Sequence, residues 1–168
     1  MSEVAKRQFV RQQGFVDASP SSCAVRYPAL MFQPRMLGVL LLLAILFQSA
    51  FVFLILAGVL WWSALVPSRN PFDLLYNRSI AARGNLLPLT PAPGPRRFAQ
   101  ALAGTLMAGA GLAIIVGRPR LAWLFAGVLA LAVGALVFGR FCLGSYLFHL
   151  LRGERSFAHR TLPWSREG

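Results

Sequence analysis

Cys142, Ser145, Tyr146 and His149 are the residues of this chain best spaced to do chemistry. On a continuous helix they fall at i, i+3, i+4 and i+7, along one face. Arg140 precedes them, and that cation or a protonated His149 would favour the Cys142 thiolate, which is the nucleophilic form. Cys23 is the only other cysteine. Two cysteines make no disulfide framework, but both fall on one side of the topology derived below, where they could meet. Cys142 and Cys23 are therefore the candidate redox thiols, with Arg140, Tyr146 and His149 as the thiol environment. The competing reading is a small buried cysteine packed at a helix end, a common fate of free Cys. We favour it, because thiolate activation needs a partner geometry that spacing alone does not supply.

Other chemistry finds little support. The five acidic residues, Glu3, Asp17, Asp73, Glu154 and Glu167, all lie outside the apolar blocks. Inside them the polar side chains are Gln48, Ser49, Ser63, Gln100 and Thr105. Proton pumps and ion-coupled transporters place ionisable groups at membrane depth, so that class is disfavoured. No His–Glu metal spacing and no Ser/His/Asp set is present. His149 has no evident second ligand for haem or metal. Gly109-Ala110-Gly111 follows no strand and is not a nucleotide loop. No catalytic residue, cofactor or metal is assigned.

The elements that must position these residues are apolar. Met36–Val66, Phe98–Gly117 and Leu121–Gly139 carry no charge, and 57% of the 168 residues are hydrophobic, with a mean hydropathy of +0.60. About 20 apolar residues make a helix that crosses a bilayer core of roughly 30 Å. Helices apolar on every face are buried in protein or in lipid, and too little polar chain remains to cover these. The fold expected is an all-α membrane protein with about four transmembrane helices. No cleavable signal is visible, so the first block is expected to be an uncleaved anchor.

Charge sets the topology. The chain has 17 Lys+Arg against 5 Asp+Glu, net +12. The basic residues flank the apolar blocks instead of gathering with a nucleic-acid motif, so lipid is the expected partner and nucleic acid is not. If Met36–Val66 goes in and comes back, only Arg118 and Arg120 face away from the side that holds the other fifteen. A single crossing would divide the charges almost evenly. The positive-inside rule selects the hairpin, with Gln48-Ser49 as its turn and a start near Ala29, where Pro34 falls close to the first turn. A re-entrant hairpin satisfies the same rule.

The expected organisation is a polar cytoplasmic arm (1–28), a helical hairpin of two short membrane helices (29–66) and a cytoplasmic linker (67–97). A membrane helix (98–117) follows, then a membrane helix with a cytoplasmic extension (121–151) and a basic tail (152–168). In the linker Asn70 is an N-cap, Pro71 opens a helix and Asp73 favours its dipole. An amphipathic interfacial helix over 71–83 results, with Phe72, Leu75, Tyr76 and Ile80 on one face. Pro88, Pro91, Pro93 and Pro95 make a stiff connector. Asn77-Arg78-Ser79 fits a glycosylation pattern but lies on the cytoplasmic side and is read as chance. Gly104/Ala108 and Ala126/Ala130/Gly134 are spaced for close packing of the last two membrane helices. Trp61, Trp62 and Trp123 sit where an aromatic belt would.

With these residues in view, the chain resembles a bacterial family of small integral membrane proteins catalogued as domain of unknown function 4395. The resemblance is carried by Ala29-Leu-Met-Phe-Gln-Pro-Arg35, Asn70-Pro-Phe-Asp73 with Leu75-Tyr-Asn-Arg78, Pro91-Ala-Pro-Gly-Pro-Arg-Arg-Phe-Ala-Gln100, and Phe141-Cys-Leu-Gly144, over roughly residues 9–151. It implies about four membrane helices and no established activity. In some members the last motif ends as Cys-x-x-Cys, in a thiol-redox setting. Here Ser145 holds the second position, so the resemblance does not carry a local dithiol to this chain. The function expected is a non-enzymatic accessory or structural subunit of a membrane assembly in the bacterial cytoplasmic membrane, multi-pass with cytoplasmic termini. Its expected partners are the bilayer with its anionic lipids, and a protein partner or second copy held through small-residue helix faces. The alternative is a membrane thiol-redox protein using Cys142, with or without Cys23. A third reading is a lipid- or quinone-contacting protein built around the aromatic ends.

Overall fold

The computed structural model describes residues 3–15 and 20–165, with only backbone described at 3–4 and 20–25. Among these residues every regular element is helical. The order is α1 (Glu3–Gln12), α2 (Pro20–Leu46), α3 (Ala50–Leu65), α4 (Pro71–Tyr76), α5 (Gly94–Ile115), α6 (Pro119–Val137), α7 (Leu143–Leu151) and α8 (Arg155–Arg160). A 3₁₀ turn at Pro67–Arg69 precedes α4, and a π-helical turn at Asn77–Ala81 continues it.

Two hairpins form the body. α2 and α3 turn back through Phe47–Ser49, where Gln48 takes a left-handed φ of 49° and Ser49 caps α3 by accepting from the Val52 N–H. Leu46, Phe47 and Phe51 around that turn are exposed. The second hairpin, α5–α6, turns at Gly117, whose φ is 66°. The tips lie together, since Gln48, Ile114 and Trp123 line one small crevice. The opposite end carries the linker, α1, α7 and α8. Three helices are long and apolar enough to cross a membrane, over Arg26–Leu46, Gly94–Ile115 and Pro119–Val137. α3 is equally apolar but has 16 residues, about 24 Å at 1.5 Å per residue, which is short of a full bilayer core. Leu41, Phe53, Leu60, Met107 and Leu129 fill the centre, while Leu42, Leu65, Leu124 and Leu131 point outward. Apolar surface of this extent on the outside of a helical bundle marks contact with lipid or protein.

Four expectations need correction. The hairpin helix starts at Pro20, well before Ala29, so Pro28 and Pro34 are interior. Pro34 therefore removes a donor from inside the helix, where it would have bonded the Leu30 carbonyl. Next, Gly104 seats α5 against α3, not against α6. A Cβ on Gly104 would meet Trp61 at 2.8 Å, and one on Gly111 would meet Leu54 at 2.9 Å. α5 also meets α6, where Gly109 touches Phe125, but Gly134 faces open space. The sequence shows which residues are small but not which helix uses them. Thirdly, the N-terminal segment is no loose polar arm. Phe9 and Val10 of α1 are buried with Tyr27, Leu30 and Met31 of α2. Finally, the helix does not run through 121–151. It stops at Val137, and Arg140 takes a positive φ of 55° before α7 begins.

The linker helix forms as its capping residues require. Asn70 Oδ1 accepts from the Phe72 N–H, and Pro71 occupies the first turn. Its four apolar residues divide, however. Phe72 and Tyr76 turn into the protein, whereas Leu75 and Ile80 stay exposed beside Arg78 and Arg83. Burial raises the Tyr76 phenol above its ordinary value, so it stays neutral. The Asn77 side chain donates to the Leu89 carbonyl (3.1 Å) and accepts from the Leu89 N–H (2.8 Å). That bidentate grip holds the proline connector against the start of the π turn.

Candidate functional site

A buried polar cluster sits where α2, α3, α4 and α5 meet. Arg96 lies in the first turn of α5, where the helix dipole disfavours a cation. Asp73 of α4 offsets this with a two-pronged pair. Arg96 Nη2 donates to Asp73 Oδ1 at 2.6 Å and Nη1 to Oδ2 at 3.0 Å. Both side chains are under 10% exposed. Asn70 Nδ2 also donates to Asp73 Oδ2 (3.0 Å), and the Ser63 hydroxyl donates to Asn70 Oδ1 at 3.1 Å. Gln33 of α2 supplies one oxygen, Oε1, that accepts from Arg96 Nη2 (2.7 Å) and Gln100 Nε2 (3.0 Å). Nearby, Arg97 Nε donates to the Ala64 carbonyl at the C-terminal end of α3 (2.7 Å), the end where a cation is favoured. One unit thus ties both hairpins to the linker.

This arrangement is closed. The Asp73 carboxylate is satisfied by a guanidinium and an amide. A charge-assisted bidentate pair is the strong geometry for an Arg–carboxylate contact. Asp73 as a dipole partner of its own helix is thus only part of its role. The reading of the sequence missed the pairing with Arg96. Available signals were a lone acid in the linker, an arginine in the first turn of the next helix, and Gln100 one turn further on.

The thiol cluster lies next to this unit, at the foot of α7. Cys142 is the residue before α7 and is buried. Its backbone N–H donates to Gln12 Oε1 at 3.1 Å. His149 is buried on the same side of α7 as Ser145; its Nε2 lies 3.3 Å from the Gln12 carbonyl and its Nδ1 lies 2.6 Å from Glu154 Oε2. Ser145 Oγ and Gln12 Nε2 are buried without a hydrogen-bond partner. Tyr146 belongs elsewhere, with its ring 5.4 Å from Phe141 and 6.0 Å from His159. Arg140 is engaged with the Tyr27 ring, 6.0 Å from its centroid. The structure therefore brings Cys142 and His149 onto Gln12 of α1, buries Ser145 between them on α7, and sends Arg140 and Tyr146 to other partners. The side chain of Cys23 lies outside the described residues. Among the described residues no group of three or more His, Cys, Asp or Glu is placed to hold a metal.

Cluster and thiol share a wall. A cavity of about 320 Å³ opens between α2, α5, α6 and α7, with Gln33, Arg96 and Gln100 at one part of its lining and Cys142 at another. Gly144 is what lets α7 close on α5 there, since a Cβ would stand 2.6 Å from Ala99 Cβ.

The family model described as Domain of unknown function (DUF4395) matches residues 27–153. The chain belongs to that family. Neither a curated protein nor a solved structure matches it.

Proposed function

We propose that the chain is a multi-pass protein of the bacterial cytoplasmic membrane, with both termini in the cytoplasm, acting as a non-enzymatic accessory or structural subunit of a membrane assembly. One observation carries the reading: among the described residues the buried Asp73, Arg96 and His149 each have a partner of opposite type. Asp73 and Arg96 close a pair, and His149 meets Glu154. Such pairs hold helices in register. Two apolar hairpins with their tips at one end fit insertion from one side. The basic residues that crowd the other end suit the cytoplasmic face and its anionic lipids. Exposed Leu75 and Ile80, flanked by Arg78 and Arg83, suit an α4 that rests on that surface. A Cβ on Gly127 or Gly134 of α6 would meet nothing within 4 Å, which leaves room for a partner helix or a second copy.

A second reading is thiol redox chemistry at Cys142, with or without Cys23. Its support is the place of Cys142 on the cavity wall. The two readings are separable by one pair of measurements. On the first, the protein extracted in mild detergent has a native mass larger than one chain, unchanged by Cys142→Ser. Cys142 in intact membranes then reacts with a water-soluble maleimide at least about tenfold slower than a free model thiol, because a buried thiol is inert. A single-chain mass together with fast labelling of Cys142 would decide for the second reading.

A further inference from the structure

The cavity between α2, α5, α6 and α7 is built unevenly. Most of its wall is aliphatic, as with Leu37, Leu106 and Val133, and it comes from helices long enough to span a membrane. At one place the wall is polar, formed by Gln33, Arg96 and Gln100. A volume of about 320 Å³ lies at the low end of small-molecule sites, which run from about 300 to 1,000 Å³. It suits one chain, not a two-chain lipid.

The polar patch has a defined chemical demand. Arg96 can only donate, so Gln33 must present its oxygen to it. Gln100 must then turn its NH₂ toward that same oxygen, as its 3.0 Å contact has it. The orientation leaves Gln100 Oε1 buried with no donor, in a residue only 5% exposed. A buried acceptor without a partner forfeits its hydration with nothing in return. Pro34, also on the wall, has no N–H for the Leu30 carbonyl beside it. The site therefore asks for a donor. It does not ask for charge: the Asp73 carboxylate already neutralises Arg96, and an anionic headgroup would meet a closed pair.

We propose that this cavity binds one uncharged, single-chain membrane amphiphile whose polar end carries a hydroxyl, the hydroxyl donating to Gln100 Oε1 and the chain lying along the aliphatic wall. Gln100 Oε1 is covered in this structure, and the hydroxyl reaches it when the amide rotates into the cavity. The inference stands apart from the accessory or redox reading, since it uses neither a partner protein nor the thiol.

The test is binding to the full chain in nanodiscs, with three probes of equal chain length: oleyl alcohol, methyl oleate and oleoyl lysophosphatidic acid. The alcohol should bind about tenfold more tightly than the ester, which has no donor, as one buried hydrogen bond would give. It should also bind more tightly than the anionic lysolipid. Gln100→Leu should erase the preference for alcohol over ester while leaving the ester's affinity in place. Ala103→Phe, which narrows the cavity one turn from Gln100, should weaken both, and keeps the proposal testable if Gln100→Leu does not fold. Equal affinity for alcohol and ester would overturn the proposal and reduce the cavity to an apolar crevice. Tightest binding of the lysolipid, or no saturable binding of any probe, would overturn it as well.

Discussion

Replacing Arg96 with alanine is expected to destabilise the protein by about 3–5 kcal/mol, the usual cost of leaving one member of a buried ion pair alone. Asp73 would keep a single amide donor, from Asn70, and Gln33 would lose its shortest contact. The matched change, Arg96→Met with Asp73→Leu, should recover most of that loss, because the pair's attraction largely repays its own desolvation. Thermal unfolding of the three proteins in one detergent measures this. A loss under about 1 kcal/mol for Arg96→Ala would be the behaviour of an exposed pair, and would contradict a closed cluster at the junction of the hairpins.

Gly144→Val should be nearly as damaging. The added Cβ would stand 2.7 Å from Ala99 Cα, in the backbone of α5, where no side chain can swing away. α7 must lift from α5, at a cost toward the upper end of the roughly 1–3 kcal/mol typical of overpacking. Since Cys142 lies two residues before, its labelling by maleimide should rise together with the fall in melting temperature. A valine variant with unchanged stability and unchanged labelling would show that α7 does not pack on α5 through this glycine.

What could be read from the sequence was what short-range chemistry decides. The Gln48-Ser49 turn, the Asn70-Pro71 helix start and the return of the first apolar block each rest on local rules of capping, breaking and charge. The misses are long-range. Gly104 is visibly small, but its partner helix, α3, is chosen by the tertiary fold. Arg140 takes a positive φ although nothing in its residue type requires it, and that break removes the continuous helix on which the Cys142-to-His149 face was drawn. Ser145 and His149 share a buried side even so, since both lie within α7. Phe9 and Val10 hinted that the N-terminal arm would dock, but two apolar residues in a basic segment do not set a docking site.

The segments that carried the family resemblance converge in space. Gln33, Asn70, Asp73, Arg96 and Gln100 make one hydrogen-bonded cluster, and Phe141-Cys-Leu-Gly144 closes on it through Ala99. In the sequence these looked like four separate motifs. Their common purpose is to lock the helix ends opposite the hairpin tips around a cavity, which accounts for polar residues standing beside long apolar blocks.

The central claim, two hairpins inserted from one side, is tested most directly by single-cysteine accessibility in intact cells, in a background lacking Cys23 and Cys142. Probes would stand at Ser49 and Gly117 in the tips, and at Leu87 and Gly153 at the other end. An impermeant maleimide should label Ser49→Cys and Gly117→Cys in intact cells, and reach Leu87→Cys and Gly153→Cys only after the membrane is opened. Labelling of Leu87→Cys or Gly153→Cys in intact cells would contradict the account. A first hairpin that re-enters without crossing would show as Ser49→Cys protected while Gly117→Cys is labelled.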